Sequence, residues 1–237
     1  MKTSLQMISA TVAAALLAGT AYASNGTVSQ LSGTLSVKKA DGSVRILSQK
    51  SEIAAGDTLN TEKDTFAQIK FTDGGQITLK PNTSLKIEDF KFSEDKPQED
   101  SFLFSLVKGG LRAVTGIVGK RSRDNYRMNT ATATIGIRGT TYSADDCVTT
   151  PCTPQGATDP VEAAVYVSVA DGEVVVKNDG GEQSYKAGEF GQVTKGQKPL
   201  FLSTDPGLSF IPPASFIQSV MAGTAGGGAS RECVVRR

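Results

Sequence analysis

The sequence predicts an all-β domain of short antiparallel or solenoid-like strands joined by hairpin turns, either a β-solenoid or a β-sandwich. Three observations carry this. Apolar and polar residues alternate with period two over short, evenly spaced segments. Asp-Gly and Gly-rich turns separate those segments. The composition, with 25 glycines among 237 residues, 6% aromatics and no Trp or His, fits a turn-rich β domain better than a helical bundle.

The first segment reads as a leader. Lys2 supplies a positive start, Ile8 to Leu17 form a short apolar run, and Ala21-Tyr22-Ala23 match the small-x-small cleavage pattern. Residues 1–23 are therefore expected to be a signal peptide, with the mature chain starting at Ser24. The apolar run is too short to span a bilayer, which takes about 20 residues, and no later run qualifies. The chain is expected to be periplasmic or secreted, with no retained membrane helix.

Residues 27–59 read as strands joined by turns, the clearest being Asp41-Gly42 between Leu35/Val37 and Val44/Ile46. In residues 65–92, Phe66, Gln68 and Lys70 alternate with Ala67, Ile69 and Phe71. Asp73-Gly74-Gly75 turns the chain, and Ile77, Leu79, Leu85, Ile87 and Phe90 resume the apolar face. Ser93 to Asp100 is a charged, proline-containing loop. Phe102, Phe104 and Leu106 alternate like a strand. Leu111, Val114 and Val118 then sit at helix-like spacing, weakened by Gly109, Gly110, Gly116 and Gly119, so the strand is expected to give way to a short helix or irregular turn.

Thr130 to Ile137 reads as one strand, with Ala131, Ala133, Ile135 and Ile137 on one face and Thr130, Thr132, Thr134 and Gly136 on the other. Its small residues place it between close neighbours. Arg138 follows, and Gly139 is expected to supply a bulge or a positive φ before Thr140. Arg138 is read as a corner staple that donates to turn carbonyls or a carboxylate. On that reading Arg138→Ala costs roughly 2–4 kcal/mol.

An internal repeat relates residues 32–61 to residues 171–196. Gly33 and Val37 match Gly172 and Val176, the turn glycines Gly42 and Gly181 follow at the same interval, and Gly56 or Gly188 closes each copy beside an acidic residue. The β domain is expected to cover residues 24–196. Residues 197–237 read as a Pro- and Gly-rich tail, with a short amphipathic helix over residues 214–223.

Composition excludes several chemistries. Without His there is no His triad and no His metal site. Basic and acidic residues number 25 and 24, and without Lys2 the counts are equal, so no basic excess marks a nucleic-acid binder. Asp145-Asp146 and Glu99-Asp100 are adjacent pairs whose side chains diverge; they read as solvated loop residues, not an acid/base pair. Lys120, Arg121, Arg123 and Arg127 gather as a basic patch, either a solvated face or an anion site.

Cys147 and Cys152 are disulfide candidates in an oxidising compartment, the short ring being worth roughly 2 kcal/mol. A metal site at these thiols would need carboxylates to complete it. Cys233 is either free or pairs between chains, giving a dimer. No cofactor is expected.

The stretches "AAGDTLNT", "AQIKFTDGGQITLKPNTSLKI", "LVKGGLRAVTGIVGK" and "YRMNTATATIGIRGTTY", most of residues 54–142, resemble the FecR domain family. The family is named after the periplasmic part of the ferric-citrate regulator. The run from Thr130 to Thr141, with Thr134, Gly136, Arg138, Gly139 and Thr140, is the most specific. The resemblance implies an extracytoplasmic β fold. In the regulator that region senses an outer-membrane receptor and signals through a membrane helix to a sigma-factor-binding part. This chain departs from that plan in its cleavable leader and short tail, and looks like a stand-alone exported member. The leading expectation is a non-catalytic interaction module for envelope sensing or protein–protein contact, with an envelope protein or cell-wall polymer as partner. The alternatives are a structural envelope protein and a carboxylate-dependent glycan hydrolase.

Overall fold

The computed structural model describes residues 24–208, 211–214 and 216. The expected signal peptide, Cys233 and nearly all of the helix expected over residues 214–223 lie outside them.

The strands in chain order are β1 (Gly26–Ser32), β2 (Leu35–Lys38), β3 (Val44–Leu47), β4 (Glu52–Ile53), β5 (Thr58–Thr61), β6 (Phe66–Phe71), β7 (Gln76–Leu79), β8 (Ser84–Lys91) and β9 (Ser101–Val114). A short helix, α1 (Ile117–Arg121), precedes β10 (Tyr126–Asn129), β11 (Thr134–Ile137), β12 (Thr141–Asp146), β13 (Val165–Asp171), β14 (Glu173–Asn178), β15 (Gly181–Lys186), β16 (Phe190–Val193) and β17 (Leu200–Leu202).

Hydrogen bonds link all seventeen strands into one continuous sheet, which β9 folds into two layers. Its first half pairs with β8 and β10, and its second half with β7 and β12. Sheet I runs β4-β1-β6-β7-β9-β12-β13-β16-β17. Sheet II runs β3-β2-β5-β8-β9-β10-β11-β14-β15. Every pairing among these is antiparallel except β9–β10. The chain is thus all-β, and its two layers make a sandwich.

Alternation explains the layering. In β6 the burial of Ala67, Ile69 and Phe71 alternates with the more open Phe66, Gln68 and Lys70, and strands on both sheets send one face inward. Ile69, Ile77 and Val167 of sheet I join Leu35, Leu59, Phe104 and Val176 of sheet II in one core. The layers meet directly where the Phe71 and Phe102 rings lie 4.6 Å apart. The hydroxyls of Tyr126 and Tyr142 also approach to 3.2 Å.

The glycine pair expected to end a strand instead bends one. β9 runs on through Gly109 and Gly110 to Val114. Gly109 takes φ +82°, with Thr83 packed where a side chain would sit. No other residue makes that turn and that approach together. Leu111 and Ala113 consequently face the core as strand residues.

A second correction concerns Thr130 to Ile137. Only Thr134–Ile137 is a strand; residues 130–133 form the β10–β11 turn. The Thr130 hydroxyl donates to the Ala133 carbonyl at 2.9 Å and accepts the Ala133 N–H at 3.1 Å. That local satisfaction lets a Thr-rich alternation form a turn. β11 does lie between two neighbours, β10 and β14. The internal repeat has a spatial counterpart: its copies begin as the hairpins β2–β3 and β14–β15, at opposite edges of sheet II.

Candidate functional site

The outer face of sheet II carries a groove of about 810 Å³ across β10, β11, β14 and β15. Thr134 and Gly136 lie on its floor. A Cβ at Gly136 would meet nothing nearer than the Val175 carbonyl, at 3.9 Å, so glycine there keeps the floor low. Arg123, Arg127, Arg138 and Lys177 line the groove together with Asp124, Asp179 and Glu182. Arg127 Nε donates to the Asp124 carbonyl at 3.1 Å, and Arg138 Nη1 donates to Glu173 Oε2 at 3.1 Å. The Arg138 side chain is 56% exposed. Its backbone N–H is bonded to the Glu173 carbonyl at 2.8 Å, so the pairing of β11 with β14 continues through this position.

The basic cluster read from the sequence divides. Arg123 and Arg127 enter the groove. Arg121 turns away, donating from Nε to Asp100 Oδ2 at 2.7 Å, donating to the Ser93 carbonyl and lying over the Phe92 ring. Lys120 stays exposed at the end of α1. Gly139 has φ +65°. Thr140 stands outside the groove, where its N–H donates to Thr115 Oγ1 at 2.9 Å and its carbonyl accepts from Thr115. Lys177, Asp179 and Glu182 were not singled out in the sequence. The signal available was the β14–β15 hairpin, where Val174 and Val176 point inward and Lys177 must point out.

Of the four carboxylates expected to be solvated, Glu99 is exposed, but Asp100, Asp145 and Asp146 are buried. Asp145 and Asp146 belong to β12, and Asp100 precedes β9. Each is held by a designated partner, because a buried charge without one is costly. Asp145 accepts Lys80 Nζ at 2.7 Å. Asp146 accepts the N–H groups of Val148 and Thr149. Burial works to raise the Asp100 pKa, but the Arg121 guanidinium and the Ser93 N–H together hold it below the usual value. Asp73, in the β6–β7 turn, has no cationic partner among the described residues. It accepts the Gly75 and Val118 N–H groups at 2.9 and 3.2 Å, and burial raises its pKa. Burial likewise raises that of Asp145, which Lys80 offsets in part.

Cys147 and Cys152 form a disulfide, with S–S 2.01 Å. It belongs to a second small cluster in which Cys147, Ala164 and Tyr166 pack with Val161, Leu202 and Leu208 outside sheet I. Among the described residues no His, Cys, Asp and Glu cluster could hold a metal ion, and no helix is long and apolar enough to cross a membrane.

The fold is thus a two-layer β domain with an intrachain disulfide and a charged surface groove. The chain belongs to the FecR protein family, whose model matches residues 57–175. Two crystal structures from Parabacteroides distasonis ATCC 8503, each described provisionally as an anti-sigma factor, are similar to it. One is 15% identical over 62% of this chain and 60% of its own, with TM-score 0.44. The other is 16% identical over 71% and 65%, with TM-score 0.45. The chain thus spans less than two thirds of either. A cell-surface anchoring domain aligns with 26% of this chain at 24% identity and TM-score 0.26. No curated protein matches the chain.

Proposed function

We propose that the chain acts outside the cytoplasm as a non-catalytic interaction module that seats an envelope protein in the sheet II groove. One observation carries this reading: Arg123, Asp124, Arg127 and Arg138 line one groove together with Lys177, Asp179 and Glu182 from the distant β14–β15 hairpin. Interleaved charges of both signs suit a protein surface of complementary pattern, where they set register and exclude wrong partners. A nucleic acid would call for cations alone. The disulfide suits an oxidising compartment, and the FecR family match supports envelope sensing. The burial of Asp100, Asp145 and Asp146 against fixed partners leaves these carboxylates poorly placed for hydrolysis.

The test is capture from a periplasmic extract by purified mature protein, wild type against the double charge reversal Arg123→Glu/Arg127→Glu. The reading expects one envelope protein retained by the wild type and lost from the variant at unchanged melting temperature. Equal retention by both, or no protein enriched over blank resin, overturns it.

A further inference from the structure

One half-buried cation lacks the carboxylate that the others have. The half-buried cations among the described residues are Lys39, Lys80, Lys86 and Arg112. Lys39 reaches Asp57 at 2.7 Å, Lys80 reaches Asp145 at 2.7 Å and Lys86 reaches Glu88 at 2.6 Å. The Arg112 side chain makes no hydrogen bond or ion pair with any described residue. Withdrawing a guanidinium from water without a partner costs free energy. An arginine left in this state suits a ligand that brings the missing charge.

Arg112 of β9 stands opposite Ser143 of β12, which stands opposite Ser168 of β13. Directly opposed residues point to the same face. The three line one pocket of about 150 Å³ on sheet I. The two serine hydroxyls are also without a partner among the described residues. The segment after β17 lies over this pocket, with Asp205, Pro206 and Leu208 as its outer wall. Lys80 Nζ pins that wall by donating to the Leu208 carbonyl at 2.9 Å. The cover shuts the face to an extended ligand and leaves a recess for a compact one.

Two carboxylates line the recess. Asp145 is matched by Lys80. Asp205 accepts the Gly207 N–H at 2.8 Å and has no cation among the described residues. The recess therefore holds one unmatched positive charge, on Arg112, and one unmatched negative charge, on Asp205.

We propose that this pocket binds a small free α-amino acid, its carboxylate on Arg112 and its ammonium on Asp205. Three features select that ligand. The unmatched charges call for one of each sign in one molecule, because a simple anion would face Asp205 and a simple cation would face Arg112. The planar fork of Arg112 matches a carboxylate, and the Ser143 and Ser168 hydroxyls both donate and accept beside it. The volume equals the share of about five liquid waters at roughly 30 Å³ each, room for glycine or alanine and little more. Pro206 and Leu208 give a methyl side chain its apolar wall.

The experiment is calorimetric titration of the full chain with alanine. Propionate, which lacks the ammonium, and ethylamine, which lacks the carboxylate, are the single-charge controls, and phenylalanine is the size control. Arg112→Gln and Asp205→Asn are the variants, each checked by thermal denaturation. The proposal expects saturable alanine binding, at least about tenfold tighter than that of any control, and weakened about tenfold by either variant. If Arg112→Gln does not fold, the exposed Asp205→Asn carries the test. Absence of saturable alanine binding overturns the proposal, as does equal affinity in wild type and variants. Propionate binding as tightly as alanine would make this a plain anion site and overturns it too, and phenylalanine binding as tightly overturns the size limit on which it rests. The groove variants Arg123→Glu/Arg127→Glu leave this pocket untouched, so failure here is distinguishable from failure of the protein-partner reading.

Discussion

The two outer faces of the sandwich obey the same alternation but treat charge in opposite ways. On sheet II the pairs at the groove and on β8 are open: Arg138–Glu173 has side chains 56% and 22% exposed, and Lys91–Asp89 67% and 31%, whereas Lys39–Asp57 at the ends of β2 and β5 is sheltered at 23% and 2%. On sheet I the Lys80–Asp145 pair is sheltered, at 16% and 11%. The difference lies in what covers each face. The disulfide loop and the segment after β17 lie over sheet I around β12 and β13, and Leu208 accepts directly from Lys80. Nothing of that kind overlies β10, β11 and β14 among the described residues. Alternation decides which side chains point outward, but cover decides how much a charge there matters.

The largest effect should come from breaking the sheltered pair. Lys80→Met leaves Asp145 buried and unpaired and releases the Leu208 carbonyl. We expect a loss of roughly 3–5 kcal/mol, a fall in melting temperature of roughly 6–20 °C for a chain of this size. The double variant Lys80→Met/Asp145→Leu, which removes both charges, should recover most of it. A single variant within about 1 kcal/mol of wild type would show that solvent reaches Asp145 after all.

Next in size is the disulfide. Replacing Cys147 and Cys152 by Ser removes a small ring worth roughly 2 kcal/mol in chain entropy. The comparison adds a spatial demand. Amide exchange should quicken around Val161, Leu202 and Leu208, which pack with the disulfide, and stay unchanged along β10, β11 and β14. Uniform quickening across both sheets would mean that the cover is not a separate unit.

A smaller effect separates two buried carboxylates by sign. Asp73 has no cationic partner among the described residues and its pKa is raised by burial, so the folded state binds its proton more readily than the unfolded chain does. Its contribution to stability therefore improves as pH falls through the folded pKa toward the ordinary value of 3.8. Asp100 is held low by Arg121 and Ser93 despite its burial, so its contribution is present at neutral pH and lost on acidification. Melting curves from about pH 7 to about pH 2 should show Asp73→Asn losing a gain on the way down to the ordinary carboxylate range and Asp100→Asn losing a decline below that range. Parallel curves for wild type and both variants would refute the assignment.

These cases also mark what the sequence conveys. Period-two patterning revealed the strands because burial of one face is a local property: β6 follows its alternation residue by residue. Turn chemistry at Asp41-Gly42 was equally local. What stayed hidden depends on distant partners. Gly109-Gly110 reads as a break until Thr83 is known to occupy the space a side chain would need. Asp145 reads as solvated until Lys80 and the cover arrive. Arg123 and Arg127 read as a basic patch and Arg138 as a corner staple, with no sign of a shared groove, because Lys177 and Glu182 join them only through the β11–β14 and β14–β15 pairings. Thr130 misled for the opposite reason, since one hydroxyl satisfies a turn that the alternation disguises.

The smallest effect concerns Arg138, where the exposed face makes its sharpest claim. A staple at a buried corner would cost roughly 2–4 kcal/mol to remove. In the structure the guanidinium reaches one carboxylate, Glu173 Oε2 at 3.1 Å, from a side chain more than half exposed. An exposed pair of this kind contributes about 0–1 kcal/mol, because water screens the charges and ordering both side chains opposes the attraction. The strand pairing at this position uses the Arg138 backbone N–H, which substitution leaves intact. Arg138→Ala should therefore lower the melting temperature by less than about 4 °C, and a double-mutant cycle with Glu173→Gln should give a coupling below about 1 kcal/mol. The same variant should weaken capture of the envelope partner, because Arg138 lines the groove. A melting temperature lowered by more than about 6 °C, with capture per folded molecule unchanged, would return Arg138 to a structural role and remove it from the proposed interface.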